Sequence, residues 1–373
     1  MRDFVRGQGR DKVSETGTVA GYELERVLGR GGMGAVYLAR HPRLPRSVAL
    51  KLLDENMFGD SEARARFQRE ADLAARLDHP NVVTVFDRGV EGNRPWIAMQ
   101  YVRGTDAGAV GLIEAGRAVR IVAEVAEALD FAHGRGVLHR DVKPANILLA
   151  EPEAGRPEPV LLADFGIARL HFDHNPLTQT GTFTATLAYA SPEQLAGLAL
   201  DPRCDQYSLA CTMFVLLTGT APFAATNPVA VIQAHMSAEP PMISAFGSGL
   251  PTALDPVLRR AMAKRPGDRY ESCGEFAEAV RQAFQVGTRD RPLSARASWT
   301  APTLIAPAPP KSVGAERGSS ATHGAPQRSA PTHRPNARTS SAAGGVWRRR
   351  AETIGVVLAL SWILVIVLVA VLN

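Results

Sequence analysis

HRDVKPANILL, residues 139–149, crowds His139, Arg140, Asp141, Lys143 and Asn146 into eight positions and then runs straight into an apolar strand. Charged side chains beside a buried strand are costly unless they have partners or chemistry to perform. A polar turn ahead of a strand accounts for Pro144. It does not account for Asp141, Lys143 and Asn146 sharing one short loop, so the rest of the chain has to supply the reason.

Upstream, VLGRGGMGAVYLA (27–39) places glycines at 29, 31 and 34, with Val36 two positions further on. Alternating apolar residues flank them, which predicts a two-stranded hairpin with a Gly-rich turn. Backbone without Cβ atoms can lie against a phosphate and offer N–H donors. A dinucleotide-binding unit would need a helix directly afterwards, whereas AVYLAR reads as a strand. The next strand, SVALKLL (47–53), carries Lys51 among apolar neighbours. SEARARFQREADLAARL (61–77) then has helical period, with Phe67, Ala71, Ala74 and Leu77 on one stripe and Glu70 on the same stripe. A carboxylate on a packing face needs a partner. Lys51 is the expected one, and Arg66 or Arg69 of the same helix are the alternatives.

Downstream, Asp164 follows the apolar run PVLLA and stands at a strand end. DQYSLACTMFVLLTG (205–219) is apolar nearly all round, so a buried helix is expected, with Asp205 at its start capping it and holding the backbone of the charged loop.

In this order, GRGGMG, VALK, Glu70, HRDVKPAN, DFG at 164–166, SPE at 191–193, DQYSLA at 205–210 and DRY at 268–270 resemble the eukaryotic-like protein kinases, specifically the bacterial Pkn-type serine/threonine group. The resemblance covers about 265 residues. It implies an α+β, two-lobed protein-kinase fold, with a small β-rich N-lobe and a larger, mostly helical C-lobe. It implies ATP as substrate and Mg²⁺ as cofactor, with Mn²⁺ as an alternative ion. The implied nucleotide contacts are Leu28, Gly29, Gly31, Gly34, Val36, Ala49, Lys51, Met99, Gln100 and Val102. Asn146 and Asp164 are the implied metal ligands, and hard oxygen donors of this kind suit Mg²⁺.

Phosphoryl transfer asks a protein mainly for positioning and charge neutralisation. On this resemblance Asp141 orients the attacking hydroxyl and takes its proton. Lys143 reaches the γ-phosphate, and Lys51 with Glu70 grips the inner phosphates. Phe165 packs beneath Asp164, and Gly166 lets the segment pivot. Thr186 would contact Asp141 and Lys143, which together with Lys143 itself marks the Ser/Thr class. Thr178, Thr180, Thr182 and Thr184 are candidate phosphorylation sites, answered by Arg140 ahead of Asp141. Glu193 is expected to pair with Arg269. The sequence departs from the family in small ways. Leu50 replaces the usual Ile, Gln100 stands at the hinge, Ala185 precedes Thr186, and AEPEAGRPEP extends a turn around Gly155. Two other readings are a scaffold without chemistry and a small-molecule phosphotransferase. Lys51, Asp141, Asn146 and Asp164 together argue against the first. SPE with Thr186 argues against the second.

The 373 residues carry a net charge of +5. Residues 285–373 hold 11 Lys/Arg and 3 Asp/Glu, a net +8, which leaves −3 for residues 1–284. A basic tail on an acidic domain argues against nucleic acid as a partner. Cys204, Cys211 and Cys273 form no CxxC pair, so buried free thiols are expected. Residues 1–20 are polar and expected to be disordered, 21–285 form the kinase domain, and 286–346 read as a Pro/Ala/Ser/Thr-rich disordered linker. In 347–373, a basic cluster (Arg348, Arg349, Arg350) precedes an uncharged run, 354–372, long enough to span a bilayer. The arginines predict a single-pass protein of the cell membrane, with the kinase domain cytoplasmic and the C-terminus at the outer face. On that reading little of the chain lies outside, and no extracellular ligand binds it directly. Protein substrates, the lipid bilayer and a homodimer complete the expected partners.

Overall fold

The computed structural model describes residues 17–31, 34–55, 61–152, 154–165, 187–225, 227–246 and 249–289. The chain divides into units 1–304 and 305–373, and every described residue belongs to the first.

The N-lobe is a six-stranded antiparallel sheet in the order β1-β2-β3-β4-β6-β5. The strands are β1 Gly17–Val19, β2 Tyr22–Gly31, β3 Gly34–Arg40, β4 Ser47–Leu53, β5 Val85–Glu91 and β6 Arg94–Gln100. Strands β2 and β3 make the predicted hairpin, with Gly31 paired opposite Gly34. Gly34 has φ +136°, and a Cβ there would run into the carbonyl of Leu52, so glycine is required. Strand β4 shows why Lys51 is buried. Successive side chains point to opposite faces. Val48, Leu50 and Leu52 pack with Tyr22, Tyr37 and Trp96 on one face. Ala49 and Leu53 pack with Phe67 and Ala71 of helix α1 (Ser61–Ala74) on the other. Lys51 shares this second face, at the centre of the sheet between Val36 and Ile97.

The C-lobe is built on α3 (Ala115–His133), α5 (Arg203–Thr218) and α8 (Cys273–Arg289), with short helices α2 (Ala107–Val110), α4 (Pro192–Leu195), α6 (Pro228–Ser237) and α7 (Leu254–Ala261) around them. Nearly every residue of α5 is buried, as its apolar circumference predicts. A three-stranded sheet, β7 Gly104–Asp106, β8 Ile147–Ala150 and β9 Val160–Leu162, lies where the charged loop feeds the core. The turn between β8 and β9 has Gly155 at φ +79°, where the hairpin tip was expected.

Three expectations need correction. Among the described residues regular structure begins at Gly17, because Gly17–Val19 pairs with Tyr22–Leu24, and α8 runs to Arg289, past the domain end expected at 285. The stripe Phe67, Ala71, Ala74 and Leu77 is buried as predicted, yet α1 stops at Ala74, so Leu77 is buried from a following turn. Asp205 does not cap α5. The helix starts two residues earlier, Asp201 Oδ1 accepts the Arg203 N–H at 2.8 Å, and the Asp205 carboxylate is turned elsewhere. The linker and the apolar run 354–372 lie outside the described residues. Among the described residues no helix is long and apolar enough to cross a membrane.

Candidate active site

The charged loop is held from below by one carboxylate. Asp205, fully buried, accepts the backbone N–H of His139 on Oδ2 at 2.8 Å and that of Arg140 on Oδ1 at 2.6 Å. Its Oδ2 also lies 2.8 Å from His133 Nε2. Burial alone would raise its pKa, but His133 and the loop's donors hold it below the usual carboxylate range. Further ties fix the loop's carbonyls. Thr212 Oγ1 donates to Val142 O at 3.1 Å, and Gln194 Nε2 donates to Arg140 O at 2.8 Å. Gln194 is itself set by a capping box with Ser191.

His139 acts as a strut. Its Nε2 lies 2.8 Å from Ala163 O and its Nδ1 accepts the Asp141 N–H at 3.2 Å, so the ring carries its proton on Nε2 and is neutral. Burial lowers its pKa and keeps it so, although Asp205 opposes the effect. Phe165, buried, meets His139 edge-on with centroids 4.7 Å apart, beneath Asp164 as expected. Arg140 and Asp164 both have φ +69°, in the left-handed region that non-glycine residues seldom occupy. Backbone strain of this sort persists only where surrounding bonds over-determine it. Here the bonds to Asp205 and Gln194 do so at Arg140.

Asp141 Oδ2 accepts from Lys143 Nζ at 2.6 Å and from Asn146 Nδ2 at 3.1 Å. Asn146 Nδ2 also donates to Asp141 O at 2.7 Å. Both side-chain contacts fall on Oδ2, which leaves Oδ1 of Asp141 without a partner among the described residues. The planar amide of Asn146, anchored by nitrogen, turns its oxygen the other way. Asp164 Oδ2 accepts from Lys51 Nζ at 2.7 Å. Its burial would raise its pKa, but Lys51 outweighs that and holds the carboxyl below the usual range, ionised at neutral pH.

This ion pair corrects the expected pairing of Lys51 with Glu70. Glu70 Oε1 lies instead 3.8 Å from Arg140 Nη1. Lys51, buried in the sheet, pairs instead with the half-buried Asp164.

A cavity of about 400 Å³ separates the lobes. Its lining brings together Leu28, Gly29, Val36, Ala49, Met99, Gln100 and Val102 from above and behind, and Asn146 and Asp164 from below. Arg26, Tyr101, Asp106 and Leu148 also line it and were missed, because nothing in their spacing marks them. Gly31, Gly34 and Lys51 do not line it. Gly31 and Gly34 border a second hollow with Arg30 and Tyr37 at the hairpin tip. The Gln100 N–H is spent on Thr84 O at 2.8 Å. Glu193 and Arg269 pair through two bonds of 2.6 and 2.8 Å, fully buried, as expected. Gly166, Thr178, Thr180, Thr182, Thr184 and Thr186 lie outside the described residues.

Asn146 and Asp164 fit a hard divalent cation: an ionised carboxylate and an amide oxygen, both on one cavity wall, each with an oxygen that has no partner among the described residues. The apolar upper wall suits a flat heteroaromatic ring.

Residues 22–282 match the family described as protein kinase domain. The chain is 53% identical over 284 residues to serine/threonine-protein kinase PknJ of Mycobacterium tuberculosis, covering 75% of this chain and 48% of that protein. It is 51% identical over 278 residues to PknF of the same organism, covering 72% and 57% respectively. The chain thus spans about half the length of the curated relatives it matches. The crystal structure of the Mycobacterium tuberculosis PknI kinase domain matches with a TM-score of 0.59 at 41% identity, over 73% of this chain and 99% of that one. The chain belongs to the protein kinase family, among the serine/threonine kinases of mycobacterial Pkn type.

Proposed function

We propose that this chain transfers the γ-phosphoryl group of ATP to serine and threonine hydroxyls of proteins, phosphorylates its own activation segment, and is anchored in the cell membrane by residues 354–372. The observation that carries the catalytic part is Asp141. Its Oδ2 is occupied by Lys143 and Asn146 while Oδ1 has no partner among the described residues, beside a cavity floored by Asn146 and Asp164. Asp141 Oδ1 would take up the hydroxyl proton and aim the oxygen at phosphorus, a role typically worth about 10²–10⁴-fold. Lys143 would neutralise the transferring group, and Lys51 the inner phosphates. Asn146 and Asp164 would hold Mg²⁺, whose charge offsets that of the phosphate oxygens.

Self-phosphorylation is supported by Arg140. Its Nε and Nη1 are buried and make no hydrogen bond, and Glu70 approaches only to 3.8 Å. A phosphate on Thr178 or Thr180 would bring about −1.5 to −2 charges to such a guanidinium. Anchoring is supported by Arg348–Arg350 before an uncharged 19-residue run.

The test uses the purified full chain, Mg²⁺, a generic protein substrate and ATP labelled at the γ-phosphate, followed by phosphoamino-acid analysis. Label on Ser and Thr of both substrate and kinase is expected. Label on neither, or on Tyr alone, would remove the reading. For anchoring, the chain should sediment with membranes and a 347–373 deletion should not.

A further inference from the structure

Beside Asp205, which holds the catalytic loop, three side chains converge that do not line the nucleotide cavity. Asp130 and His133 stand in the last turn of α3, and Cys273 is the first residue of α8. One ligand atom from each lies within 4.8 Å of the other two. We propose that Asp130, His133 and Cys273 bind one divalent cation of the zinc class.

The argument rests on His133. Its side chain is only 7% exposed, and its Nδ1 is buried without a hydrogen-bond partner. Nε2 faces Asp205 Oδ2 at 2.8 Å, and Asp205 is an ionised acceptor, so Nε2 carries the proton. The Nδ1 lone pair therefore points at Asp130 Oδ1, 3.9 Å away. Facing lone pairs, one of them on a buried nitrogen, are unfavourable unless a positive centre lies between them. A proton on Nδ1 is the rival occupant, but 3.9 Å is too long for a hydrogen bond to Asp130. A cation is the better match. Metal-bound imidazoles regularly donate their other N–H to a carboxylate, and Asp205 already stands there.

The third ligand selects the metal. Thiol, imidazole and carboxylate together suit zinc-class ions and exclude Mg²⁺ as the natural occupant. Cys273 is buried, and burial together with Asp130 raises its thiol pKa. On binding, the S–H proton leaves to solvent and a sulfur–metal bond forms, one proton per ion. Thiolate and carboxylate then balance the 2+ charge, and a water can complete a tetrahedron. Ligand atoms around such an ion lie about 3.3–3.8 Å apart, so the side chains close by roughly 1 Å. Asp130 is already tethered, accepting the backbone N–H of Cys273 at 2.9 Å and of Gly274 at 2.8 Å. Its side chain is 34% exposed, which provides an entry path. Because His133 also touches Asp205, occupancy of this site would bear on the bonds that position His139 and Arg140.

The test is cobalt(II) titration of the tag-free, chelator-stripped full chain. One equivalent should give a thiolate-to-cobalt charge-transfer band that Zn²⁺ removes and excess Mg²⁺ does not. Cys273→Ser should abolish the band and weaken zinc binding at least ~tenfold. Absence of a band in the folded chain would mean that Nδ1 simply holds a proton, and would overturn the proposal. A band unchanged in Cys273→Ser, or removed by Mg²⁺, would overturn it equally. If Cys273→Ser does not fold, as judged by circular dichroism, Asp130→Asn replaces it. The same tenfold loss supports the site, and unchanged affinity refutes it.

Discussion

The two halves of the cleft are held by different kinds of bond. The catalytic loop on the C-lobe side is fixed by hydrogen bonds to its own backbone from buried Asp205 (to His139 and Arg140) and Thr212 (to Val142) and from half-buried Gln194 (to Arg140). The N-lobe side is fixed by side-chain ion pairs, Lys51 with Asp164 and Glu70 near Arg140. A backbone amide has no alternative partner when its acceptor is buried beneath it. An ion pair between long side chains has many. The loop that performs chemistry is therefore pre-set, whereas the groups that grip phosphates can re-pair when a nucleotide brings new charge.

This contrast orders the consequences of mutation. Asp141→Asn is nearly isosteric and keeps the contacts of Lys143 and Asn146. Phosphoryl transfer should fall about 10²–10⁴-fold while the melting temperature and nucleotide affinity stay close to those of the parent. Near-parental turnover would mean that the loop's role is misassigned. Asp205→Ala leaves two buried N–H groups unpaired at about 1–3 kcal/mol each, so denaturant unfolding should show a loss of about 2–6 kcal/mol. A loss under 1 kcal/mol would break the claim that the loop is anchored from the core.

Acid should act on the buried histidines next. His235 bonds to Tyr207 Oη through Nδ1 at 2.9 Å. Burial first, then the nearby Lys264, lowers its pKa from 6.5 to about 4. With the folded pKa below the unfolded one, the contribution is complete above about pH 6.5 and is lost as pH falls towards about 4, where the unfolded chain takes up the proton first. The difference amounts to about 3 kcal/mol. His139, lowered in the same direction, adds to the slope in the parent. His235→Asn keeps an atom near Nδ1 but does not titrate. Its stability should fall less than the parent's between pH 7 and pH 4.5, and parallel curves would rule the assignment out. The smallest expected effect is that of Glu70→Gln on stability, within about 1 kcal/mol, because the change is nearly isosteric and the contact with Arg140 is long and not fully buried. Its effect on kcat/KM should be larger than on stability if Glu70 re-pairs with Lys51 during turnover. Equal small effects on both would leave Glu70 outside the phosphate grip.

The sequence carries these two halves unequally. The loop is legible because its residues are neighbours in the chain: HRDVKPAN, the strand behind it, and the Gly-rich hairpin are local patterns. The helical stripe with Glu70 is legible as a stripe. Which cation Glu70 meets is not, since Lys51 and Arg140 stand 19 and 70 positions away and periodicity says nothing about that choice. Asp205 was read correctly as the loop's support and incorrectly as a cap, because α5 starts at Arg203, earlier than the apolar run suggests. Gln194 and His139 left no signal as struts. Their roles depend on Arg140 O and Ala163 O, backbone groups that every residue offers alike.

The pre-set loop is tested most directly by hydrogen exchange at the His139 and Arg140 amides in the parent chain, without nucleotide and with an ATP analogue plus Mg²⁺. Both amides should exchange as slowly as the buried amides of α5 in the absence of nucleotide, and should change little on its addition. Fast exchange in the free chain that becomes slow only with nucleotide would contradict the account, and would show that substrate, not Asp205, builds the catalytic loop.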